Sequence, residues 1–426
     1  MIKYIPIGGD YMFSKLIDNK QKSAKYMVDE ITHICKDMPK RAPGSEGENI
    51  ACEYMADVLR NDCGCEKVQV ERFKENPNAF FGWIYVTATC LLISYILYFF
   101  IPLASVILTA IGFIVMFAQF GFYRKVVDFL FPSAMGTNVT AVKKPKGETK
   151  ARIFFNGHPD AVWLLTFNDK LGGWAYEGHI AVGFGGAIIS FIFFIICAIK
   201  VGATCQIATP EVWGWTYYAG FALLIFAPFI FGLYFMWDER KVVDGANDNL
   251  SGCYMGIAIL KAMKEEGIEL ENVEVGVILS GSEEAGLRGA KAWAEAHKEE
   301  YQDGIPTWII GYDTIREQEQ LCVNYRDLNG LVPMDKEVSD AFLNAAKELD
   351  LQCRPNIVPP FGGATDPAAF KQAGFKAAGI TGMNHNIQPY YHTMRDTYDN
   401  MDENALADCY AISVKVLDNF VKEYEK

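Results

Sequence analysis

Five short stretches carry side chains able to do chemistry. NGHPD (156–160) holds His158 and Asp160, and DGANDNLSG (244–252) holds Asp244 and Asp248. GSEEAG (281–286) sets Glu283 beside Glu284, GYDT (311–314) holds Asp313, and YYHTMRDT (390–397) holds His392. Taken singly, each has an ordinary explanation. A lone histidine is usually a hydrogen-bonded core or surface residue, Asp248 could cap a helix beginning at Asn249, and a glutamate pair is usually solvated. Taken together, imidazoles and carboxylates suit zinc or a similar divalent ion. One zinc needs four ligands, and this set holds enough for two. The adjacent glutamates then have a reason. Cations offset their repulsion, and consecutive residues leaving a strand point different ways, so the two carboxylates can take different tasks.

Such a set needs elements that bring it together. The apolar run IFF precedes NGHPD, VILS precedes GSEEAG, WIIGY precedes Asp313, and GIT precedes the loop to His392. These runs, with KVQVERF (67–73) and TNVTAVK (137–143), read as strands. Helices are expected on either side of Pro43–Gly44 within 22–62, at 249–267 with Gly267 as stop signal, at 290–300, at 336–350 and at 404–426. Strands alternating with helices predict an α/β fold, a mixed, mostly parallel sheet flanked by helices. In such sheets ligands bind beyond the carboxyl ends of the strands, where these residues fall.

Four apolar runs interrupt this pattern. No charged residue occurs between Asn76 and Tyr123, and Pro102 divides that stretch into halves, each about the 20 residues a spanning helix needs. A second pair covers Ile180–Ile199 and Val212–Trp237. Trp83, Trp213, Trp215 and Trp237 stand at the ends, as an interfacial belt would have them. The prediction is four transmembrane helices in two inserted hairpins, which leave every polar segment on one side. The flanks on that side are basic, with Arg72, Lys74, Arg124, Lys125, Arg240 and Lys241, so the polar domain is expected in the cytoplasm. The 11 cysteines, an odd number without repeated spacing, fit a reducing compartment. The net charge of −13 argues against a nucleic-acid partner.

The set HPD, GANDNLSG, SGSEEAGLRG, GYDT and YHTMRDT resembles the co-catalytic di-zinc exopeptidase family, which includes bacterial leucine aminopeptidases and glutamate carboxypeptidase. RAPGSEGE (41–48) and GGATDPAAF (362–370) resemble its other recurring stretches. The resemblance covers about 25–75 and 137–426 without the hairpins. It implies two Zn2+ or other divalent ions, one held by His158 and Asp313, the other by Glu284 and His392, with Asp248 bridging. It implies that Asp160 orients the His158 imidazole, that Glu283 is the general base, and that Tyr391 can hydrogen-bond the reacting carbonyl oxygen. A cis Asp248–Asn249 peptide is also expected. Two departures bear on the mouth of the site: Arg395, where relatives often have a small or acidic residue, and the hairpin inserted within 161–238.

The expected organisation is a peptidase domain made of 1–75, 124–179 and 238–426, interrupted by hairpins at 76–123 and 180–237. The implied activity is hydrolysis of a peptide bond at a chain end, an aminopeptidase first, by metal-activated water with a glutamate base. The substrate would be a peptide or an N-acyl amino acid, presented to an integral membrane protein. Two rivals are a glutaminyl-cyclase-like acyltransferase, which would use one zinc, and a non-catalytic membrane scaffold or receptor, which would be expected to have lost ligands.

Overall fold

A computed structural model describes residues 13–384 and 387–425. Its strands are β1 (Lys67–Glu75), β2 (Ala134–Lys143), β3 (Ala151–Gly157), β4 (Trp163–Leu165), β5 (Trp237–Val242), β6 (Val273–Ser280), β7 (Thr307–Ile315), β8 (Cys322–Asp327), β9 (Val332–Pro333), β10 (Arg354–Ile357) and β11 (Lys376–Gly382). The main sheet runs β1-β2-β6-β3-β7-β11-β8-β10, with β9 on β8. Its centre, β6-β3-β7-β11, is parallel; β1-β2, β2-β6 and β11-β8 pair antiparallel. Every residue of β3 and β6 is buried, which is why both read as near-continuous apolar runs rather than alternating ones.

One face of the sheet is covered by helices Lys20–Asp37, Glu46–Asn61, Ser251–Glu265 and Glu403–Tyr424 around a core that includes Ile31, Met55, Phe155, Ile257 and Leu417. The other face carries Arg288–Tyr301 and Asp366–Gln372, packed through Trp293, Phe154 and Phe370. Helix starts follow side-chain chemistry: Asp402 accepts from the Asn404 and Ala405 N–H groups, and Ser45 from that of Glu48. Gly157, at the end of β3, lets the helix from Ser251 approach closely, since a Cβ there would lie 2.4 Å from Cys253 N.

Four helices are long and apolar enough to cross a membrane: Ala79–Tyr98, Pro102–Gly121, Gly173–Val201 and Trp215–Phe235. Their outward side chains, such as Ile96, Ile114, Ile199 and Ile225, are exposed and apolar. Hydroxyls tie one hairpin to the other: Tyr95 Oη lies 2.6 Å from Ser190 Oγ, and Tyr98 Oη donates to Thr216 O at 2.7 Å.

Several details differ from expectation. The third helix starts at Gly173 rather than near 180 and runs 29 residues. At 1.5 Å per residue that is about 44 Å, longer than the roughly 30 Å hydrocarbon core, so its first turns reach into the polar domain. The fourth is broken into short helical pieces around Pro228, whose ring cannot continue a helical ladder. Trp237 opens β5 and is buried against Phe81 and Trp163, and Trp213 is fully buried beside Tyr98, so both rings pack inside the protein. The helix expected from Asn249 starts at Ser251, and β7 continues past Asp313. β4 and β5 pair antiparallel at the foot of the second hairpin.

Candidate metal centre

Because β3, β6, β7 and β11 are parallel, their carboxyl ends lie along one edge. His158 follows β3, Glu283 and Glu284 follow β6, Asp313 sits near the end of β7, and His392 is in the loop beyond β11. Asp248 reaches the same place from the turn ahead of the Ser251 helix. Ligand atoms of His158, Asp248 and Asp313 lie within 4.8 Å of one another, as do those of Asp248, Glu284 and His392. Asp248 thus belongs to both sets. Its Oδ1 is 3.4 Å from His158 Nε2, and its Oδ2 is 3.1 Å from His392 Nε2. His392 Nε2 is 3.3 Å from Glu284 Oε1. Glu283 groups with His158 and Glu284, its Oε2 3.9 Å from His158 Nε2.

The donor set fits divalent cations. Nitrogen and carboxylate oxygen ligands suit zinc and its neighbours. His158 Nε2 and Glu284 Oε1 are buried, and beyond the long contacts just given, at 3.3 and 3.4 Å, neither makes a well-formed hydrogen bond among the described residues, an arrangement that costs free energy unless a ligand takes them up. Proton affinities tell the same story. Burial, then Asp248, pushes Asp313 up to about 7. Burial raises Glu283 well above the usual carboxylate range against the pull of His158, and raises Glu284 against His392. Burial opposes charge on His392, yet Glu284 and Asp248 carry it up to about 10. The anionic cluster holds protons that cations would displace.

Asp160 is fully buried and clasps the glutamate pair. Its Oδ1 accepts from Glu283 N and its Oδ2 from Glu284 N, both at 3.0 Å, and Oδ1 is 3.4 Å from His158 Nδ1. It therefore fixes the turn that aims both carboxylates, as well as facing the imidazole. The Tyr391 ring stacks on that of His392 at 3.8 Å between centroids, and burial beside the Asp248 and Glu284 carboxylates keeps its hydroxyl protonated. The Asp248–Asn249 peptide is cis.

Other residues complete the frame without having been singled out by sequence. Asp396 accepts from Asn247 N at 3.0 Å, Asn247 Nδ2 at 2.7 Å and Asp248 N at 3.1 Å, holding the bridging residue from behind. Arg41 donates to Pro159 O at 2.7 Å, Asp244 O at 2.6 Å and Gly245 O at 3.0 Å, tying the His158 loop to the Asp248 loop. Both lie in stretches that stood out, YHTMRDT and RAPGSEGE, but all their partners except Asn247 Nδ2 are backbone groups that no side-chain pattern reveals. Arg395 bonds the foot of the second hairpin.

Residues 237–417 match the profile of Peptidase family M28, a span that includes Asp248, Glu283, Glu284, Asp313 and His392. Among solved structures, the fold is similar to the zinc aminopeptidase BSAP of Bacillus subtilis, at 13% identity and a TM-score of 0.54, covering 93% of this chain and 95% of that one. The LapA aminopeptidase of Legionella pneumophila aligns at 10% identity and a TM-score of 0.53, covering 100% of this chain and 78% of that one. A glutaminyl cyclase from Bacteroides thetaiotaomicron aligns at 14% identity and a TM-score of 0.52, over 95% and 97% of the two chains. Identities this low speak for the fold. No curated protein matches the chain. The M28 match over 237–417 is in line with the motif resemblance.

Proposed function

We propose that this protein is a membrane-anchored di-metal exopeptidase, an aminopeptidase, with Glu283 as general base. The observation that carries the reading is one buried carboxylate, Asp248, shared by two ligand sets. His158 and Asp313 would hold one ion, Glu284 and His392 the other, and Asp248 both. Divalent cations bound there would lower the pKa of water into the neutral range and polarise a carbonyl.

The chain's own residues do the rest. Glu283 takes a proton from the attacking water at its carboxylate and passes it to the leaving amine nitrogen. Asp160 keeps Glu283 and Glu284 apart by gripping both backbone N–H groups. The Tyr391 hydroxyl, protonated beside the cluster, donates to the carbonyl oxygen under attack. The substrate is a peptide or an N-acyl amino acid. The peptidase domain comprises 1–75, 124–179 and 238–426, and the basic flanks of the hairpins orient it to the cytoplasm.

Full-length Glu283→Gln tests the base. Turnover of aminoacyl substrates should fall by about 10²–10⁴-fold, the span of general-base effects, while two metal ions per chain remain by elemental analysis. Near-normal turnover would remove Glu283 from this role. The likeness to glutaminyl cyclases favours a second reading, an acyltransferase with one zinc. Its mark would be one ion per chain together with cyclisation of N-terminal glutamine.

A further inference from the structure

We infer that Asn168 is a positioning residue for Tyr391 and His392, and that through it the foot of the second hairpin is built into the metal centre. The inference rests on the di-metal reading above. Asn168 is fully buried in the short helix Thr166–Leu171, directly ahead of the long apolar helix Gly173–Val201. Its Nδ2 donates to Tyr391 O at 2.8 Å and to Gln388 O at 3.1 Å. Leu165, three residues earlier, donates its N–H to His392 O at 2.9 Å. From the loop side, Arg395 donates to Asp169 O at 3.1 Å and Asn168 O at 3.4 Å. Ile387 N donates to Glu177 Oε1 at 3.2 Å, inside the first turns of the long helix.

The loop needs this support. His392 has φ 54°, a backbone region that side chains other than glycine's rarely adopt, and such a conformation persists only where its surroundings impose it. A mere membrane anchor would call for a simple linker at this point. Instead the chain buries an asparagine whose Oδ1 has no donor among the described residues. An apolar side chain would avoid that cost; the two bonds to loop carbonyls are what offset it. Thr166 N also donates to Met236 O at 2.8 Å, so both ends of the hairpin meet under the ligand loop.

The test uses full-length protein in detergent, with Asn168→Leu and the isosteric Asn168→Asp, whose carboxyl oxygens would face two carbonyls. The readout is zinc retained per chain during titration with a chelator, counted by elemental analysis, alongside thermal midpoints with zinc in excess. Wild type should hold two ions. Folded variants should keep one and lose the other at about 10- to 100-fold lower chelator strength, the usual effect of removing a group that orients a ligand. Excess zinc should restore occupancy with kcat lowered more than KM. If wild type holds two ions and either folded variant holds both as tightly, the inference fails alone. If wild type holds only one, the di-metal reading fails and the inference with it.

Discussion

Ser282 has one hydroxyl proton and two buried carboxyls to give it to: Glu48 Oε1 at 2.8 Å and Glu75 Oε1 at 2.5 Å. It can serve only one at a time. Burial, despite the Ser282 bond, pushes Glu75 from an ordinary 4.5 up to about 7, and burial with the Asp160 and Glu75 charges takes Glu48 well above its usual range. The folded chain therefore holds a proton that the unfolded chain has released between about pH 4.5 and 7. Stability falls as pH rises through that window and levels off above it. For Glu75 alone the gap is worth up to about 3 kcal/mol. Glu75→Gln should shrink the difference in thermal midpoint between pH 5 and pH 8, chiefly by stabilising the protein at pH 8. An unchanged difference would show that Glu75 is not the group that holds the proton. Ser282 directly precedes Glu283, so this network also supports the turn that presents the base.

At the scale of elements, the site is a junction of loops pinned by a few buried groups. Arg41, 1% exposed, joins two of those loops through three carbonyls. Arg41→Met should leave those carbonyls unpaired and lower stability by about 2–5 kcal/mol. Zinc should then be held less tightly in a chelator titration, whereas a variant with the wild-type thermal midpoint would show the loops to be held otherwise. Much of this architecture was legible beforehand. The parallel strands announced themselves as short apolar runs ending in polar residues, and the helices by their periodicity and caps. The short pair β4 and β5 was not legible, because three residues of WLL beside an apolar hairpin carry no alternation. β8 and the edge strand β10 were missed for a related reason: CVNYRD and RPNI are short and rich in polar residues. The break in the fourth apolar helix had a signal, Pro228, that the surrounding hydrophobicity masked. Asn168 had none, since a lone asparagine after Thr166–Phe167 looks like any loop residue until its carbonyl partners are known.

For the whole molecule, both hairpins leave and re-enter the polar domain beside the metal centre. Phe80 packs on the turn at Gly286, where a Cβ would come within 2.7 Å of its ring. Asn329 Nδ2 donates to Gly121 O at 3.1 Å. The loop at Phe361 touches Phe120 of the first hairpin and Phe184 of the second. On the membrane-anchored reading, substrate reaches a site whose supports are continuous with the four apolar helices. Cys205, an exposed free thiol in the connection between the third and fourth helices, gives the orientation a direct readout. In sealed right-side-out cells a membrane-impermeant maleimide should label it from outside; labelling only in inverted vesicles would reverse the proposed topology. The central claim, two ions sharing Asp248, is tested most directly by metal content. Elemental analysis of the full-length protein should find two divalent ions per chain in wild type, and a loss of both ions together with turnover in Asp248→Ala. A single ion in wild type, or two ions retained in Asp248→Ala, would contradict it.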